Sequence, residues 1–572
     1  MRALPGIGIL LIGPFITLAA TARAETFHVP GTHPTIALAN AAAFHGDTIV
    51  ISPGRYQESI LCTKRLVFQG LPGTIWDGAF DGAQHDQLTA VEDSVEVRGI
   101  EFQNGGRPIR ITGDDAVISA CRFRSNGQGV LVDGARARVS QNAFTGLQNA
   151  SSPAIDVDGP LAVVTRNRIE NCTSAGISVD SEGGGRARVS KNRLRANQAG
   201  GSIEVRNADA AFIQKNLLEN SSVTGGGAIQ ALDCDDARLV GNRLRNLDQD
   251  AAVGLRVTGA RAELTRNSVI NLIRPSGGFK GIFVTGEGAR VIENRIEASA
   301  GGDGGDSYGI QVTGASAAVL ANQIIALGGG GGTAAGIVLT GAGAAVSNNT
   351  ILRLHDEFTI GIQCLGNTAV VRRNTVAEFQ NGSGIFVSGE DYLISRNRVS
   401  DGAHGTTGIR TWGGATSSGA ARVERNRIAD LGFQGLHCQG DNLVLGNNRI
   451  SQVAGAGVII EGASNQLTGD RVKNAADDAF RINGDGNQLS ACVARNGDRD
   501  GFDITGTGNT LDQCVARNFA AEGLDNGGGQ STVATDCSLS QSRIDYAGNG
   551  GMAADSGTTY TTGGAGVPPE ID

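Results

Sequence analysis

Residues 139–142 read Val-Ser-Gln-Asn, residues 164–167 read Val-Thr-Arg-Asn, and residues 189–192 read Val-Ser-Lys-Asn. The same apolar-x-x-Asn pattern returns every 22 to 29 residues, at Asn142, Asn167, Asn192, Asn216, Asn242, Asn267, Asn294, Asn322, Asn349, Asn374, Asn397, Asn426 and Asn448. Other residues fill the same slot beyond this run: Cys121 upstream, and Asp470, Cys492, Cys514 and Cys537 downstream. A fixed period of this length is the signature of a solenoid.

A second pattern keeps step with the first. A glycine opens a short stretch in which apolar residues alternate with others, as at Gly176, Gly254, Gly281, Gly309, Gly336, Gly384 and Gly501. Short apolar stretches also lie before and after each asparagine, so every repeat contains three short strands. Units of this kind bury their apolar face only by stacking. We therefore predict an all-β fold: a single-stranded, right-handed parallel β-helix of about 20 coils.

The asparagine slot has a physical explanation. Asparagine tolerates the left-handed backbone of a tight turn, and its amide can hydrogen-bond to the same residue one coil away. Cysteines take this slot in three consecutive coils near the end of the repeat, at Cys492, Cys514 and Cys537. A metal site and a disulfide are alternatives, but we interpret these cysteines as small, buried thiols of the stack.

Composition and charge restrict the class of protein. Glycine accounts for 86 of the 572 residues, 40% are hydrophobic and only 18% are charged. These values argue against a helical protein and against disorder over most of the length. No Pro-rich or charged linker divides the chain, so we predict one long domain. The net charge of −9 argues against nucleic acid as a partner.

The two ends differ from the repeat. Residues 1–24 combine a basic start, an apolar run and the small-residue site Ala22-Arg23-Ala24, so we predict a signal peptide cleaved after Ala24. No transmembrane segment remains after cleavage, and we expect a secreted or periplasmic protein. Residues 25–47 form an N-terminal cap whose short helix runs from Pro34 to Phe44, with Thr32 as its N-cap. Residues 48–547 form the β-helix, and residues 548–572 a low-complexity tail.

The opening of the mature chain resembles a known superfamily. Residues 34–42 read Pro-Thr-Ile-Ala-Leu-Ala-Asn-Ala-Ala, residues 46–54 read Gly-Asp-Thr-Ile-Val-Ile-Ser-Pro-Gly, and Tyr56 and Glu58 follow. Together with the repeat, this segment resembles the pectate-lyase-like right-handed β-helix proteins (pectin lyase fold). The resemblance covers nearly the whole mature chain. It implies this fold and, because many exported members act on carbohydrates, a polysaccharide as partner.

The signatures of particular enzymes within that superfamily are absent from the sequence. The chain contains neither the Gln-Asp-Thr and Asp-Phe-Ile-Phe-Gly segments of pectinesterases nor the Asp-Pro-His segment of alginate epimerases. Of the polygalacturonase segments, only Gly-Asp-Asp is present, at residues 113–115. The resemblance therefore implies the fold but selects no single reaction.

In this superfamily the substrate groove usually follows the outer face of the glycine-opened strand. Side chains alternate along a strand, so the residue after the buried apolar one points outward. From coil to coil the predicted outward row is Asp156, Ser178, Glu204, Gln230, Arg256, Phe283, Gln311, Val338, Gln363, Phe386, Arg410, His437, Ile459, Arg481, Asp503 and Asp525.

The last six coils contain the chemistry-bearing side chains. The candidate catalytic residues are His437, Arg481, Asp478, Asp500 and Asp503, and the candidate substrate-binding residues are Arg410, Trp412, Glu461 and Asp525. Aspartates one coil apart would share a cation or divide the roles of acid and base, with calcium as the candidate ion. An arginine or histidine beside a uronate is suited to the proton abstraction that begins lysis and epimerisation.

Two functions follow from these observations. One is an exported protein that binds an acidic polysaccharide, such as pectate or alginate, and cleaves or epimerises it as a lyase, hydrolase or epimerase. The other is a non-catalytic periplasmic or surface scaffold, adhesin or accessory protein. The polar outward row supports the first function, and the missing enzyme signatures support the second.

Overall fold

A computed structural model of the protein describes residues 23–80, 83–149, 152–173, 175–198, 202–223, 226–249, 253–273, 277–299, 305–328, 331–416, 419–526, 532–540, 543–545 and 559–561. Within these ranges the chain is a right-handed parallel β-solenoid of about 19 turns with one short helix. This confirms the predicted fold class, with about one coil fewer than the predicted 20. The strands stack in three columns that run along the rod.

The back column is the sheet of 22 strands in which each strand precedes the asparagine slot. Its strands are Thr26–Val29, Thr48–Ile51, Val67–Gly70, Glu96–Arg98, Val117–Ser119, Arg138–Ser140, Val163–Thr165, Arg186–Ser190, Ala210–Gln214, Arg238–Val240, Glu263–Thr265, Arg290–Ile292, Ala318–Leu320, Ala345–Ser347, Val370–Arg372, Leu393–Ser395, Ala421–Glu424, Leu443–Gly446, Gln466–Thr468, Gln488–Ser490, Thr510–Asp512 and Val533–Thr535.

The side column follows the slot. Its strands are Gly54–Tyr56, Thr74–Asp77, Glu101–Gln103, Arg122–Arg124, Ala143–Thr145, Arg168–Glu170, Arg193–Arg195, Leu217–Glu219, Ser222–Val223, Arg243–Gln249, Ser268–Ile273, Arg295–Ser299, Gln323–Gly328, Thr350–His355, Thr375–Phe379, Arg398–Trp412, Arg427–Gln439, Arg449–Val453, Arg471–Ala475, Val493–Gly497, Val515–Phe519, Ser538–Ser540 and Thr559–Thr561.

The front column holds the glycine-opened strands. These are Ile60–Cys62, Leu88–Ala90, Ile109–Ile111, Val130–Asp133, Pro153–Asp158, Ala175–Asp180, Ile203–Arg206, Ile229–Leu232, Val253–Thr258, Lys280–Thr285, Ser307–Thr313, Thr333–Thr340, Phe358–Leu365, Gly382–Ser388, Val458–Glu461, Phe480–Asn483, Phe502–Thr505, Glu522–Asp525 and Arg543–Asp545. In two coils, the long strands Arg398–Trp412 and Arg427–Gln439 continue from the side column into the front column. A small antiparallel pair joins Ala79–Phe80 to Ala83–Gln84.

The core lies inside the three columns. Alternate side chains of each strand point inward and stack on the equivalent residue of the next coil, as Val139, Val164 and Val189 do in the back column. The buried rings of Phe123 and Phe144 stack with centroids 4.5 Å apart. Burial of this apolar surface requires a neighbouring coil, so each coil stabilises the next.

The asparagines form a buried ladder at the corner between the back and side columns. The Asn142 side-chain amide donates to Oδ1 of Asn167 at 3.1 Å, and its backbone N–H donates to the same oxygen at 3.0 Å. The hydrogen bond from the asparagine side chain to the next coil was predicted. The left-handed backbone was predicted at the asparagine itself, and this is wrong. The positive φ lies one residue earlier, at Gln141 (58°) and Arg166 (57°), which turns the asparagine inward to reach its neighbour.

The cysteines of the slot are buried and unpaired thiols, as predicted. A second asparagine ladder takes over in these coils, at the corner between the front and back columns. There, the backbone N–H of Asn465 donates to Oδ1 of Asn487 at 3.0 Å, and that of Asn487 donates to Oδ1 of Asn509 at 2.9 Å.

The N-terminal helix is shorter than predicted. It spans Ile36–Ala42, and its N-cap is Thr35, whose Oγ1 accepts the backbone N–H of Leu38 at 3.1 Å. Thr32 was the wrong residue for this role, because its hydroxyl is engaged with the backbone of His28 instead. Glu58 from the following coil accepts the first N–H groups of the helix, which places a carboxylate at its positive end.

The predicted cap contains a strand as well as the helix. Thr26–Val29 pairs with Thr48–Ile51 and opens the back column. The predicted signal peptide lies outside the described residues, apart from residues 23 and 24, and so does the predicted tail, apart from Thr559–Thr561. Among the helices that the structure describes, none is long and apolar enough to cross a membrane.

Candidate functional site

The outward side chains of the front column follow the row that the sequence predicts. Each member pairs in register with the next, one coil further on, through Asp156, Ser178, Glu204, Gln230, Arg256, Phe283, Gln311, Val338, Gln363, Phe386, Arg410, His437, Ile459, Arg481, Asp503 and Asp525. Neighbouring strands of a sheet lie about 4.8 Å apart, so the six members from Arg410 to Asp525 span about 24 Å of the rod.

An aromatic and cationic cluster occupies one end of this stretch. The Trp412 ring is 43% exposed, and the Phe386 ring meets it edge-on with centroids 5.1 Å apart. The guanidinium carbon of Arg410 lies 4.8 Å from the centroid of the Trp412 ring. Strand alternation explains the arrangement, because Ile409 and Thr411 point inward and are fully buried. An open indole face held between a ring and a cation is suited to stacking on a sugar ring.

The aromatic cluster continues into an apolar patch outside the main core. Ala335, Val338 and Ile360 are buried against one another, and Tyr308 and Phe386 pack on them. Binding sites for small ligands combine such apolar surfaces with a few placed polar groups. Phe386 therefore joins the apolar patch to the cluster around Trp412.

His437 lies in the coil after Arg410 and faces Glu461 from the coil beyond. Its Nε2 is 3.4 Å from Oε2 of Glu461, and its side chain is 16% exposed. In the strand register, Trp412 pairs with Gln439 of the next coil, and Gln439 pairs with Glu461 of the coil after that. A carboxylate at this distance can orient the imidazole.

Arg481 is surrounded by acidic side chains. It donates to Oδ2 of Asp478 from Nε at 2.9 Å and from Nη2 at 2.5 Å, and to Oδ2 of Asp477 at 2.8 Å. Its Nε also lies 3.6 Å from Oδ2 of Asp503. Arg499 approaches Asp477 from the next coil, with 3.1 Å between Nη1 and Oδ1. The arginine thus occupies the space between the carboxylates.

Asp478 and Asp500 lie one coil apart, as predicted, but both are buried. Oδ1 of Asp478 accepts the backbone N–H of Asp500 at 3.3 Å, and Oδ1 of Asp500 accepts that of Glu522 at 2.7 Å. Burial raises the pKa of the Asp478 carboxyl, and the hydrogen bonds from Arg481 oppose the rise. Both carboxylates therefore hold successive turns together beneath the outer surface.

Within the last six coils, Asp503 is an outward-facing carboxyl with a raised pKa. Burial raises its pKa to about 6, and the carboxylates of Asp478 and Asp525 add to the rise. Asp525 is its register partner in the next coil, and Asp545 follows in the coil after that. Asp503 therefore holds a proton near pH 6 at the partly open surface of the row.

The described residues contain no group of three or more His, Cys, Asp or Glu side chains arranged to hold a metal ion. In the acidic cluster, Arg481 supplies the positive charge that a cation would bring. The calcium ion suggested by the sequence therefore lacks a prepared set of acidic ligands in this part of the chain.

An arginine follows the slot in many coils, at Arg168, Arg193, Arg243, Arg295, Arg398, Arg427 and Arg449. From the sequence alone, we expect these arginines to form one solvated row that is paired with nearby acids. Pairing holds for Arg168, whose Nη2 lies 2.6 Å from Glu170, and for Arg193, at 2.6 Å from Glu219. It fails for Arg427, which forms no ion pair within 4 Å among the described residues, and the same is true of Arg398, Arg449 and Arg471. The signal is present in the sequence: an acid stands two residues after Arg168, but not after Arg427.

The family model described as right handed beta helix region matches residues 79–217, 253–418 and 383–540. Together, these ranges cover more than half of the chain. Comparison with curated proteins finds no match.

Several solved structures are similar to this chain at low identity. An alginate lyase from Paenibacillus sp. str. FPU-7 is 12% identical, with 50% of this chain and 95% of that chain covered and a TM-score of 0.26. The periplasmic alginate epimerase AlgG is 10% identical, with coverage of 62% and 76% and a TM-score of 0.24. PfbA, a surface adhesin of Streptococcus pneumoniae, is 11% identical, with coverage of 67% and 88% and a TM-score of 0.24.

Proposed function

The chain belongs to the right handed beta helix family, and we propose that it is an exported protein that binds an acidic polysaccharide along the front column. The observation that carries this proposal is the exposed Trp412 ring, held edge-on by Phe386 with Arg410 against it. An indole face offers apolar surface to a sugar ring, and an arginine pairs with a carboxylate in a forked geometry. The substrate class is therefore a glycan whose sugars carry carboxylates.

Chemistry on the bound glycan is assigned to the coils next to Trp412. His437 follows Arg410 in register, so a carboxylate paired with Arg410 places the neighbouring sugar carbon close to the imidazole. In lysis and epimerisation, a base removes the proton next to the carboxylate, and neutralising that carboxylate makes the proton more acidic. Arg410 neutralises, His437 accepts the proton, and Glu461 stabilises the resulting imidazolium.

Asp503 belongs to a different part of the row. Three coils separate it from His437, about 14 Å at the spacing of a sheet. The two groups therefore cannot act as acid and base on one sugar, and we assign Asp503 and Asp525, with Arg481, to contacts further along the chain of the glycan.

The alternative is a non-catalytic scaffold or adhesin, and one observation favours it. Asp478 and Asp500 are bound to backbone N–H groups, and Arg481 is bound to Asp477 and Asp478, so all four side chains already have a structural role. In that case the row binds a glycan and performs no reaction.

The test is to incubate the purified protein with pectate, alginate and glycosaminoglycans, each with and without calcium. Binding is followed by affinity electrophoresis, lysis by the absorbance of unsaturated ends, and epimerisation by exchange of the sugar proton with solvent deuterium. Products that disappear in His437→Gln, while binding persists, support the enzyme. Binding without any product supports the scaffold, and the absence of both overturns the proposal.

Export is tested separately. The protein recovered from the periplasm or the medium should begin at Glu25, and N-terminal sequencing reads this directly. A protein found only in the cytoplasm with Met1 intact would contradict it.

A further inference from the structure

The side column carries a row of cations in the same coils as the proposed glycan site. Seven exposed side chains form what we call the cationic stripe: Arg398, Arg427, Arg449, Arg471, Lys473, Arg495 and Arg517. All of them point outward from side-column strands, on a different column from Trp412 and His437. The stripe is notable because the whole chain has a net charge of −9.

The strand register aligns the stripe with the rod axis. Arg398 pairs with Arg427, Arg427 with Arg449, and Arg449 with Arg471. Two residues further along the strand, a second line joins Lys473 to the cations of the next two coils, Arg495 and Arg517. Neighbouring cations are thus one coil apart, about 4.8 Å.

The stripe encloses a shallow groove of about 510 Å³ between its two lines. Arg427, Arg449 and Arg471 line one side, and Lys473 and Arg495 line the other. Ser451 and the apolar residues Ile450, Val472 and Val493 complete the lining. The groove gives an anion contact with several cations at once.

Among the described residues, none of the seven members of the stripe forms an ion pair within 4 Å. Asp430, three residues after Arg427 in the sequence, is exposed and forms no ion pair with the described residues either. In two earlier coils the arginine at the same strand position is neutralised, in the pairs Arg168–Glu170 and Arg193–Glu219. Stacked like charges repel one another, so a bound anion relieves repulsion that the free protein retains.

The shape of the stripe selects the class of anion. It extends over six coils, about 24 Å, but is only three residues wide, about 7 Å. This footprint fits a single extended chain and is narrower than a nucleic acid duplex or a membrane surface requires. Single-stranded nucleic acid is bound through stacking on aromatic side chains, and the residues that line the groove include no aromatic ring.

We propose that the cationic stripe is a second glycan-binding surface, which holds a linear anionic polysaccharide parallel to the rod axis. Arginine forks pair with carboxylate or sulfate groups in a bidentate manner. This inference goes beyond the proposed function, because it uses a different column of strands and requires neither Trp412 nor His437. It stands even if the front column binds nothing.

The experiment compares two triple variants of the full chain. The stripe variant is Arg449→Gln/Arg471→Gln/Lys473→Gln. The control is Arg168→Gln/Arg193→Gln/Arg195→Gln, which removes three charges from the same strand positions of two earlier coils, where glutamates pair with them. Heparin and alginate serve as probes, and affinity is measured over a series of salt concentrations.

We expect the stripe variant to bind heparin about tenfold more weakly than the wild type and to show a weaker dependence on salt, while the control stays within about twofold. Trp412→Ala tests whether this site is separate from the front column. The stripe substitutions should lower heparin affinity by the same factor whether or not Trp412→Ala is also present. Equal losses in stripe variant and control would overturn the proposal, since net charge alone would then explain binding. Tighter binding of single-stranded DNA or phosphatidylglycerol vesicles than of either glycan would overturn it as well.

Discussion

Oδ1 of Asp470 lies 2.9 Å from the side-chain amide nitrogen of Asn448 and 2.7 Å from its backbone nitrogen. Asp470 therefore occupies the place of an asparagine in the buried ladder. Its Oδ1 accepts the same two hydrogen bonds, from a backbone N–H and a side-chain amide, that an asparagine Oδ1 accepts elsewhere in the ladder. Its other oxygen, Oδ2, has no hydrogen-bond partner among the described residues. At the equivalent position, the amide of Asn448 donates to the backbone carbonyl of Val423.

Replacing this carboxyl by an amide should stabilise the protein. Burial raises the pKa of Asp470 to about 7 from an ordinary value of 3.8, although hydrogen bonds from Asn448 oppose the rise. The folded state thus binds the proton more tightly than the unfolded state, so stability falls as the pH rises from about 4 to about 7. Asp470→Asn removes this loss, and we expect a gain of about 2 kcal/mol at pH 8.

Thermal unfolding of both proteins at pH 5 and pH 8 measures this effect. From pH 5 to pH 8, the melting temperature of the wild type should fall by more than that of Asp470→Asn. Asp512→Asn, at an exposed position of a later coil, is the charge-matched control and should leave the pH dependence as it is in the wild type. Identical pH profiles for wild type and Asp470→Asn would contradict the prediction.

Trp412 should report glycan binding through its own fluorescence. The chain has two tryptophans, and the other, Trp76, is fully buried with its indole N–H donated to the carbonyl of Glu58. A fluorescence change on adding polysaccharide therefore comes from Trp412. We expect Trp412→Ala to weaken binding about tenfold. Phe44→Ala, which removes an exposed ring from the N-terminal cap, should bind as the wild type does.

Glycan affinity should increase as the pH falls through about 6. The pKa of Asp503 is raised to about 6, chiefly by burial, so below that value the front column loses a negative charge. A polyanion then meets less repulsion, and Asp503→Asn should bind at pH 7.5 as tightly as the wild type binds at pH 5. Asp485→Asn is the control, since that exposed carboxyl lies beyond the strand. Titration calorimetry at the two pH values decides between these outcomes.

Arg481 and Asp478 should behave as a coupled pair in stability measurements. The Asp478 side chain is fully buried, so Arg481→Gln removes its hydrogen-bonded cation and leaves only Arg499, 3.9 Å away, at a cost of about 1–3 kcal/mol. Adding Asp478→Asn should recover much of this loss. Urea unfolding of the two single variants and the double variant gives the coupling energy. Strictly additive losses would mean that the pair has no structural role.

The sequence predicts the fold and the order of the outward row because both depend on local alternation. Once Val139 is placed inside, the period of two fixes its neighbours, and the repeat fixes the partner of each residue in the next coil. The row from Asp156 to Asp525 was predicted residue by residue for this reason. The thiols of the slot follow from the same logic, since whatever fills an inward slot is buried.

Features that depend on side chains from other coils were not predicted. The helix begins after Thr35, where Glu58, which is 22 residues from Ile36, accepts the first N–H groups, whereas the prediction from local capping rules was Thr32. The cationic stripe was missed because every arginine after the slot was expected to pair with a nearby acid. Whether such an arginine is neutralised depends on acids in its own and adjacent coils, such as Glu219 for Arg193.

The two asparagine ladders overlap in a single coil. Asn448 bonds to Asp470 at one corner, while the backbone N–H of Leu443 bonds to Asn465 of the same coil at the other corner. A mechanical load along the rod therefore passes from the ladder at one corner to the ladder at the other without crossing an interface that lacks side-chain hydrogen bonds. Single-molecule stretching of Asn465→Ala/Asp470→Ala should show the first rupture here. The wild type should show no preferred break at this coil.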